Sequence, residues 1–445
     1  MIKNISLYGF VKEVLKRLED EGFEAYGIGG CVRNPLMGLP VSDYDVTTSA
    51  VPEEIKRVFS DFKIVETGIE HGTVTIISDQ GTAEITAFRT EGQYKDCRHP
   101  EKVNFTGSIE EDLKRRDFTV NAIACSQNGA ITDPFNGIDD LEKNILRCVG
   151  DAEKRFEEDA LRIMRGLRFM SQYGFVPESD TKKALHTKKE LLRKISPERL
   201  SCELTKILCG KAEYLSLVLR EYSDVFSVIV PEIKNCVGFD QHTHYHDRDV
   251  WEHTISAVCG IEPIPRLRLA MFFHDMGKPT CFQFYNGEGH FKGHASVSAD
   301  ICRTNMEKLH YDSDTIKNTV FLVERHDMVM KDDPVMIKKH LMKFGEGRYF
   351  DLLKIHIADD NAKAREAMDR IPVYNAAKCT AERILTEKEC FSLKELEVNG
   401  TDMLNLGYKG ADIGKALDFL LNAVIEGKCA NTHDELIIYL KHIRI

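Results

Sequence analysis

Several things are missing from this 445-residue chain, and each absence removes a class of protein. No run approaches the ~18 consecutive apolar residues that cross a bilayer, so a membrane-spanning protein is not expected. The thirteen cysteines include no CxxC pair, which argues against a zinc framework or a disulfide scaffold and for free thiols in a reducing cytosol. The N-terminal MIKNISLYGFVKEVLKRLEDEGF lacks an apolar core and a cleavage site and reads as an amphipathic helix, so the expected location is cytoplasmic. Positive charge is not in excess. The formal net charge of −11 counts against a protein that coats nucleic acid indiscriminately, and any nucleic-acid role must rest on local clusters. Internal repeats and low-complexity tracts are absent too.

What is present divides unevenly. Residues 1–125 mix helical and strand patterns. Helical spacing runs from Phe10 to Leu18 and from Pro52 to Phe59; short or alternating strands run over Ala25–Ile28, Tyr44–Val46, Val74–Ile77 and Ala83–Phe88. From about 150 strand signals nearly vanish, and 152–169, 181–194 and 197–208 are helical in period. The expected architecture is an α/β head on a short mixed sheet (1–145), a helical neck (146–235), a histidine-rich helical domain (240–370) and a helical tail (371–445).

The head carries YGIGGCVRNPLMGLPVSDYDVTT. Gly29 and Gly30 follow a strand and precede a helix, where glycines let backbone N–H groups approach a triphosphate. Arg33 adds a cation. Asp43 and Asp45, two apart on a strand, share one face. A pair of Mg²⁺ ions needs that arrangement to activate a hydroxyl and stabilise leaving pyrophosphate. Glu84, on AEITAF, is the candidate third carboxylate. Lys114-Arg115-Arg116-Asp117 is a further cluster suited to a triphosphate or a sugar hydroxyl. Asp159 and Arg162, at i,i+3 of a helical pattern, pair an acceptor with a donor. That combination matches the edge shared by cytosine and adenine and mismatches uracil and guanine. A plain intrahelical salt bridge is the bland alternative.

These segments, in order, resemble the class II tRNA nucleotidyltransferases (CCA-adding enzymes) and their bacterial poly(A) polymerase relatives. GGCVRN resembles the family's GGxVRD, SDYDVTT its DxD motif and FRTEGQYKDCRHP its flexible loop. LKRRDFTVNAIA is similar to RRDFTxNA, EDALRIMR to EDxxR, and Pro197-Glu198-Arg199-Leu200 to the last neck motif. The stretch 398–421 resembles the tail of Gram-positive-type members. The resemblance implies a DNA polymerase β-like head and template-independent addition of C, C and A to the tRNA 3′ end from CTP and ATP. It also implies metal on Asp43 and Asp45, nucleotide contacts from Arg116, Asp117, Asn121 and Arg165, and base reading by Asp159 and Arg162. One departure is Asn34, where the motif has Asp. Asn keeps the acceptor oxygen and tolerates turns, so it is expected to orient Arg33 as Asp would.

A second constellation lies in the histidine-rich region: His253, His274-Asp275, His294, His326 and Asp359 on successive helical segments. So many imidazoles and carboxylates are hard to accommodate as core residues. They suit a divalent metal, with Mn, Ni, Fe, Zn or Mg all open. The order H…HD…D resembles the HD phosphohydrolase superfamily, which implies hydrolysis of phosphate esters such as a 2′,3′-cyclic phosphate or a 3′-phosphate on RNA. The alternatives are A-only or CC-only addition, poly(A) synthesis, an HD phosphohydrolase whose head merely binds nucleotide, and a non-catalytic RNA-binding protein. Oligomeric state is left open.

Overall fold

A computed structural model describes residues 9–41, 44–66, 68–91, 103–243, 248–363 and 369–442. Asp43 and most of the expected flexible loop, 92–102, lie outside the described residues. The chain forms two compact units, 1–234 and 235–445.

The first unit opens with α1 (Phe10–Asp20), whose Phe10, Val11, Val14, Leu15 and Leu18 are buried along one stripe. Then follow β1 (Ala25–Ile28), α2 (Gly30–Leu36), β2 (Tyr44–Thr48), α3 (Pro52–Val58, with Pro52 in its first turn), β3 (Lys63–Val65), β4 (Thr73–Ser78) and β5 (Gly81–Ala87). The hairpin of β6 (Arg89–Glu91) and β7 (Val103–Phe105) brackets the loop segment. After α4 (Ile109–Lys114) come β8 (Ala124–Cys125), β9 (Ile131–Thr132) and α5 (Gly137–Glu142). Seven strands make one mixed sheet in the order β3-β4-β5-β2-β1-β8-β9, in which only β2 and β5 pair in parallel. Alternation drives its formation: in β5, Ala83, Ile85 and Ala87 are buried while Glu84 is exposed.

The rest of the first unit is helical apart from a short parallel pair, β10 (Ile145–Leu146) and β11 (Val176–Pro177). The helices are α6 (Ala152–Glu158), α7 (Leu161–Tyr173), α8 (Ser179–Thr187), α9 (Pro197–Leu208), α10 (Ala212–Glu221), α11 (Ser223–Ile229) and, at the boundary, α12 (Ile233–Cys236). The continuous helix expected over 152–169 is interrupted. Asp159 takes an extended conformation (φ −135°, ψ 102°), and its Oδ1 accepts from Leu161 N at 3.1 Å, the local side-chain bond that lets Asp stop one helix and start the next.

In the second unit α13 (Val250–Gly260), α14 (Pro265–Phe273) and α15 (Lys278–Cys281) precede a hairpin, β12 (Gln283–Tyr285) with β13 (Glu288–His290), turned by Asn286-Gly287, both at positive φ. Next come α16 (His294–Lys308), α17 (Ser313–Glu324), α18 (Pro334–Phe344), α19 (Glu346–Asn361) and α20 (Ile371–Thr386), then α21 (Gly400–Asn405), α22 (Ala411–Ile425) and α23 (His433–His442). One apolar cluster around Ile337, Tyr349, Ala377 and Ile384 ties α18, α19 and α20 together. Another, around Met403, Leu420 and Leu436, holds the last three helices. Among the described residues no helix is long and apolar enough to cross a membrane.

Candidate active site and metal cluster

In the head the chain leaves β1 at Ile28, turns at Gly29 and enters α2 at Gly30. Gly29 has φ +61°, and a Cβ built on it falls 3.1 Å from Asp45 Oδ2. A side chain there would be strained and would crowd the carboxylate. The Cys31 thiol donates to Ile28 O at 3.0 Å and to Asp45 O at 3.2 Å, clipping α2 to both strands. Burial pushes that thiol up to about 12, so it stays protonated at neutral pH. The parallel register sets Glu84 directly beside Asp45, on the same face of the sheet. Carboxylate oxygens are suitable donors for a hard divalent cation.

Arg33 is 7% exposed. Its Nη1 donates to Asn121 Oδ1 at 2.6 Å, its Nε and Nη2 donate to Asn34 Oδ1 at 3.2 and 2.9 Å, and Nη2 also donates to Tyr173 Oη at 3.2 Å. Asn34 Nδ2 donates in turn to Pro40 O. Among the described residues no carboxylate forms an ion pair with Arg33. Burial lowers its pKa from the usual guanidinium value, with Tyr173 and Asp117 pulling the other way. The group nevertheless remains charged at any physiological pH.

The other head residues arrive with partners already engaged. Arg116 Nη2 donates to Asp112 Oδ2 at 3.0 Å, and Asp112 also takes two bonds from Arg115 at 3.0 and 2.7 Å. Asp117 accepts from Phe118 N (2.8 Å) and Asn121 Nδ2 (3.1 Å) on Oδ1, and from Arg165 Nε (2.8 Å) and Nη2 (2.6 Å) on Oδ2. Burial opposes its ionisation, but Arg165 and these hydrogen bonds hold its carboxyl well below the ordinary range. The side chains of Asp159 and Arg162 do not bond to each other, although Arg162 N donates to Asp159 O at 3.0 Å. Asp159 Oδ2 accepts from Arg199 at 3.4 Å, while Arg162 reaches Glu158 Oε2 (2.9 Å), Arg155 O (3.1 Å) and Arg115 O (2.9 Å). The intrahelical Asp159–Arg162 bridge is thus absent, because Asp159 sits in the break between α6 and α7. Sequence reasoning missed Glu158 and Asp112. It also missed the aromatic pair Phe169 and Tyr173, whose i,i+4 spacing on α7 was the available signal.

In the second unit the six expected residues converge. His253 (α13), His274 and Asp275 (past α14) and Asp359 (α19) form one four-ligand group; Asp275, His294 (α16) and His326 form another. Asp275 joins the two: Oδ2 lies 3.2 Å from both His253 Nε2 and His274 Nε2, and Oδ1 lies 3.3 and 3.5 Å from His294 Nε2 and His326 Nε2. Asp359 Oδ1 is 3.0 Å from His253 Nε2. The outward ring nitrogens are all committed to backbone carbonyls: Nδ1 of His253 to Ala362 O, of His274 to Met271 O, of His294 to Phe291 O and of His326 to Val323 O, at 2.7–3.3 Å. A carbonyl can only accept, so each Nδ1 keeps the proton and each Nε2 is the atom left to face a metal; burial lowers the His274 pKa, but Asp275 and Asp359 outweigh it and raise it to about 9. Two such pairs face each other, His253 with His274 at 3.2 Å and His294 with His326 at 3.1 Å. The carboxylates among them also meet cations: Lys278 Nζ lies 2.7 Å from Asp275 Oδ2 and Lys363 Nζ 2.6 Å from Asp359 Oδ2. The donors fit a divalent metal with imidazole and carboxylate preference.

Fold and site together define a nucleotidyltransferase-type head on a mixed sheet, followed by a mostly helical chain. Comparison with known proteins agrees. Residues 25–147 match the poly A polymerase head domain, 174–237 the probable RNA and SrmB-binding site of polymerase A, and 294–440 the putative tRNA nucleotidyltransferase domain 2. The chain is thus similar, segment by segment, to domains of poly(A) polymerases and tRNA nucleotidyltransferases. It is 46% identical over 245 residues to the CCA-adding enzyme of Ligilactobacillus salivarius (strain UCC118), covering 54% of this chain and 60% of that one. It is 48% identical over 207 residues to that of Geobacillus thermodenitrificans (strain NG80-2), covering 46% and 51%. The chain thus spans between half and two thirds of the length of these relatives. Among solved structures, the Bacillus stearothermophilus CCA-adding enzyme in complex with CTP superposes with a TM-score of 0.72 at 26% identity, covering 97% of this chain and 96% of that one. The Thermotoga maritima CCA-adding enzyme complexed with tRNA shares the fold, with a TM-score of 0.58 at 18% identity over 97% and 94%.

Proposed function

We propose that this protein adds C, C and A to the 3′ end of tRNA from CTP and ATP. The observation that carries the reading is the placement of Asp45 against the Gly29 turn and beside Glu84, in a head whose relatives are CCA-adding enzymes. The primer's terminal hydroxyl oxygen forms a bond to the α-phosphorus, the bond from that phosphorus to the bridging oxygen breaks, pyrophosphate leaves and the hydroxyl proton passes to solvent. Asp43, Asp45 and Glu84 are the residues that would hold Mg²⁺, which supplies activation of the hydroxyl and neutralisation of the leaving group. Arg33, locked by Asn34, Asn121 and Tyr173, is placed to meet the triphosphate. Asp159 and Arg162 are assigned to reading the base, for which Arg162 must shift hydrogen bonds from Glu158 or Arg115 to the incoming nucleotide. The test uses tRNA transcripts lacking CCA, lacking only A, or complete, with each labelled nucleotide and Mg²⁺. CTP and then ATP are incorporated, and addition stops after one A. Addition restricted to A, to CC or to long A-tracts would replace CCA synthesis by one of the neighbouring activities. Use of UTP and GTP as well would overturn the base-reading assignment.

A second activity is supported by the convergence of four histidine Nε2 atoms on Asp275, with Asp359 beside them, a donor set suited to a divalent metal. We infer that the cluster holds divalent metal and hydrolyses phosphate esters: water oxygen bonds to phosphorus, the ester P–O bond breaks and the departing alcohol takes the proton. Metal analysis and a phosphatase assay on wild type and His274→Ala decide it. Stoichiometric metal and hydrolysis, both lost in the variant, support the reading; a metal-free wild type without hydrolysis would reduce the cluster to a scaffold.

A further inference from the structure

Arg165, Phe169 and Tyr173 stand at i, i+4 and i+8 on α7, so they form one stripe. That stripe closes a ring of contacts around Arg33. The Arg33 guanidinium lies 5.0 Å from the Phe169 ring centroid and 4.8 Å from that of Tyr173, and it bonds to the Tyr173 hydroxyl. From Arg33 the ring passes to Asn121 Oδ1, through the Asn121 amide to Asp117 Oδ1, and across Asp117 Oδ2 back to Arg165 on α7. Every bond in this circuit has a fixed direction, because arginine can only donate and a carboxylate can only accept. The one charged group in it left without a carboxylate contact among the described residues is Arg33, a cation buried to 7% exposure. Asp117 acts on it only through space and is itself bonded to Arg165, so the buried guanidinium retains an attraction for an anion.

We propose that the Phe169–Tyr173 face of α7 positions Arg33 for the nucleotide's triphosphate, so that phosphate binding in the head is coupled to the helix that carries Arg162. This rests on the nucleotidyl-transfer reading and adds positioning residues to it. Two aromatic faces and a hydroxyl leave the guanidinium little rotational freedom, and pre-organisation of this kind appears as affinity for the anion. Because Arg162 and Arg165 are one turn apart on the same helix, a displacement of α7 that releases Arg33 also moves the residue assigned to the base edge.

The test compares Arg33→Ala, Tyr173→Ala, Tyr173→Phe and the double variant Arg33→Ala/Tyr173→Ala in the full chain, with thermal melts confirming that each is folded. Inorganic tripolyphosphate, competing against CTP, reads phosphate affinity alone. Tyr173→Ala is expected to weaken tripolyphosphate inhibition and raise the KM for CTP by about tenfold each, as for loss of one charge-assisted hydrogen bond and one stacked face. Tyr173→Phe keeps the stack and recovers most of the loss. The double variant is expected to be no worse than Arg33→Ala, since residues acting through one another are not additive. The ratio of CTP to UTP incorporation falls in Tyr173→Ala alongside the KM change. If Arg33→Ala weakens tripolyphosphate binding and Tyr173→Ala does not, the positioning role is wrong while the phosphate role of Arg33 stands. If Arg33→Ala itself has no effect, the phosphate reading of the head fails. Additive effects in the double variant would also overturn the coupling.

Discussion

The head and the histidine cluster solve opposite problems. In the head most of the named charged groups, Arg33 apart, are already answered: Asp117 by Arg165, Arg116 by Asp112, Arg162 by Glu158. In the cluster four imidazoles converge on Asp275, whose oxygens lie 3.2–3.5 Å from their Nε2 atoms, with Lys278 Nζ 2.7 Å from Oδ2. The head is pre-organised by these hydrogen bonds. The cluster brings together donors that suit a divalent cation. Stability should therefore respond to metal far more in the second unit, and catalysis should respond to small steric changes far more in the first.

The largest effect expected is on chemistry in the head. Asp45→Ala should lower single-turnover CTP addition by about a thousandfold or more, since several kcal/mol of charge stabilisation leave with the carboxylate. Gly29→Ala comes next: a Cβ 3.1 Å from Asp45 Oδ2, on a residue at φ +61°, should cost about 1–2 kcal/mol of stability and at least tenfold in kcat. On the other side, stripping metal with a chelator should lower the melting temperature of the wild type and leave that of His274→Ala unmoved, because only a folded ligand set gains from the ion. An equal response in both proteins would remove the contrast between the regions. The smallest effects concern hydrogen bonds. Asn34→Asp keeps the acceptor of Arg33, losing only the bond to Pro40 O, and should change KM by less than about threefold, whereas Asn34→Leu deletes all three bonds and should raise it by about tenfold.

Acid adds a signed test. The folded-state pKa of Asp117 is depressed below its unfolded value, so its contribution to stability is fully present above about pH 4 and is lost as pH falls towards the depressed value. Asp117→Asn should therefore flatten the loss of stability below about pH 4, read by denaturant melts across that range.

Much of this was legible in the sequence because it depends on local order. Gly-Gly after a strand, two aspartates two apart, and the alternation that exposes Glu84 and buries its neighbours each follow from a few consecutive residues. The six cluster residues were legible as types, since imidazoles and carboxylates rarely accumulate without a shared task. What could not be read depends on contacts across the fold. Glu158 rather than Asp159 pairs with Arg162 because the helix expected to run on to 169 breaks at Asp159. Asp117, expected at the nucleotide, is claimed by Arg165, 48 residues away. The four carbonyls that fix the histidine tautomers are backbone groups and leave no trace in residue identity. Asp112, buried under both Arg115 and Arg116, looked in the sequence like one more acid in a charged turn.

The central claim is tested most directly by extending a tRNA that ends before its CCA, with the four labelled nucleotides supplied singly and together, using wild type and Asp45→Ala. The account predicts two C and one A on the wild-type product, no UMP or GMP, and no extension by the variant. Extension by Asp45→Ala at the wild-type rate, or uniform use of all four nucleotides, would contradict it.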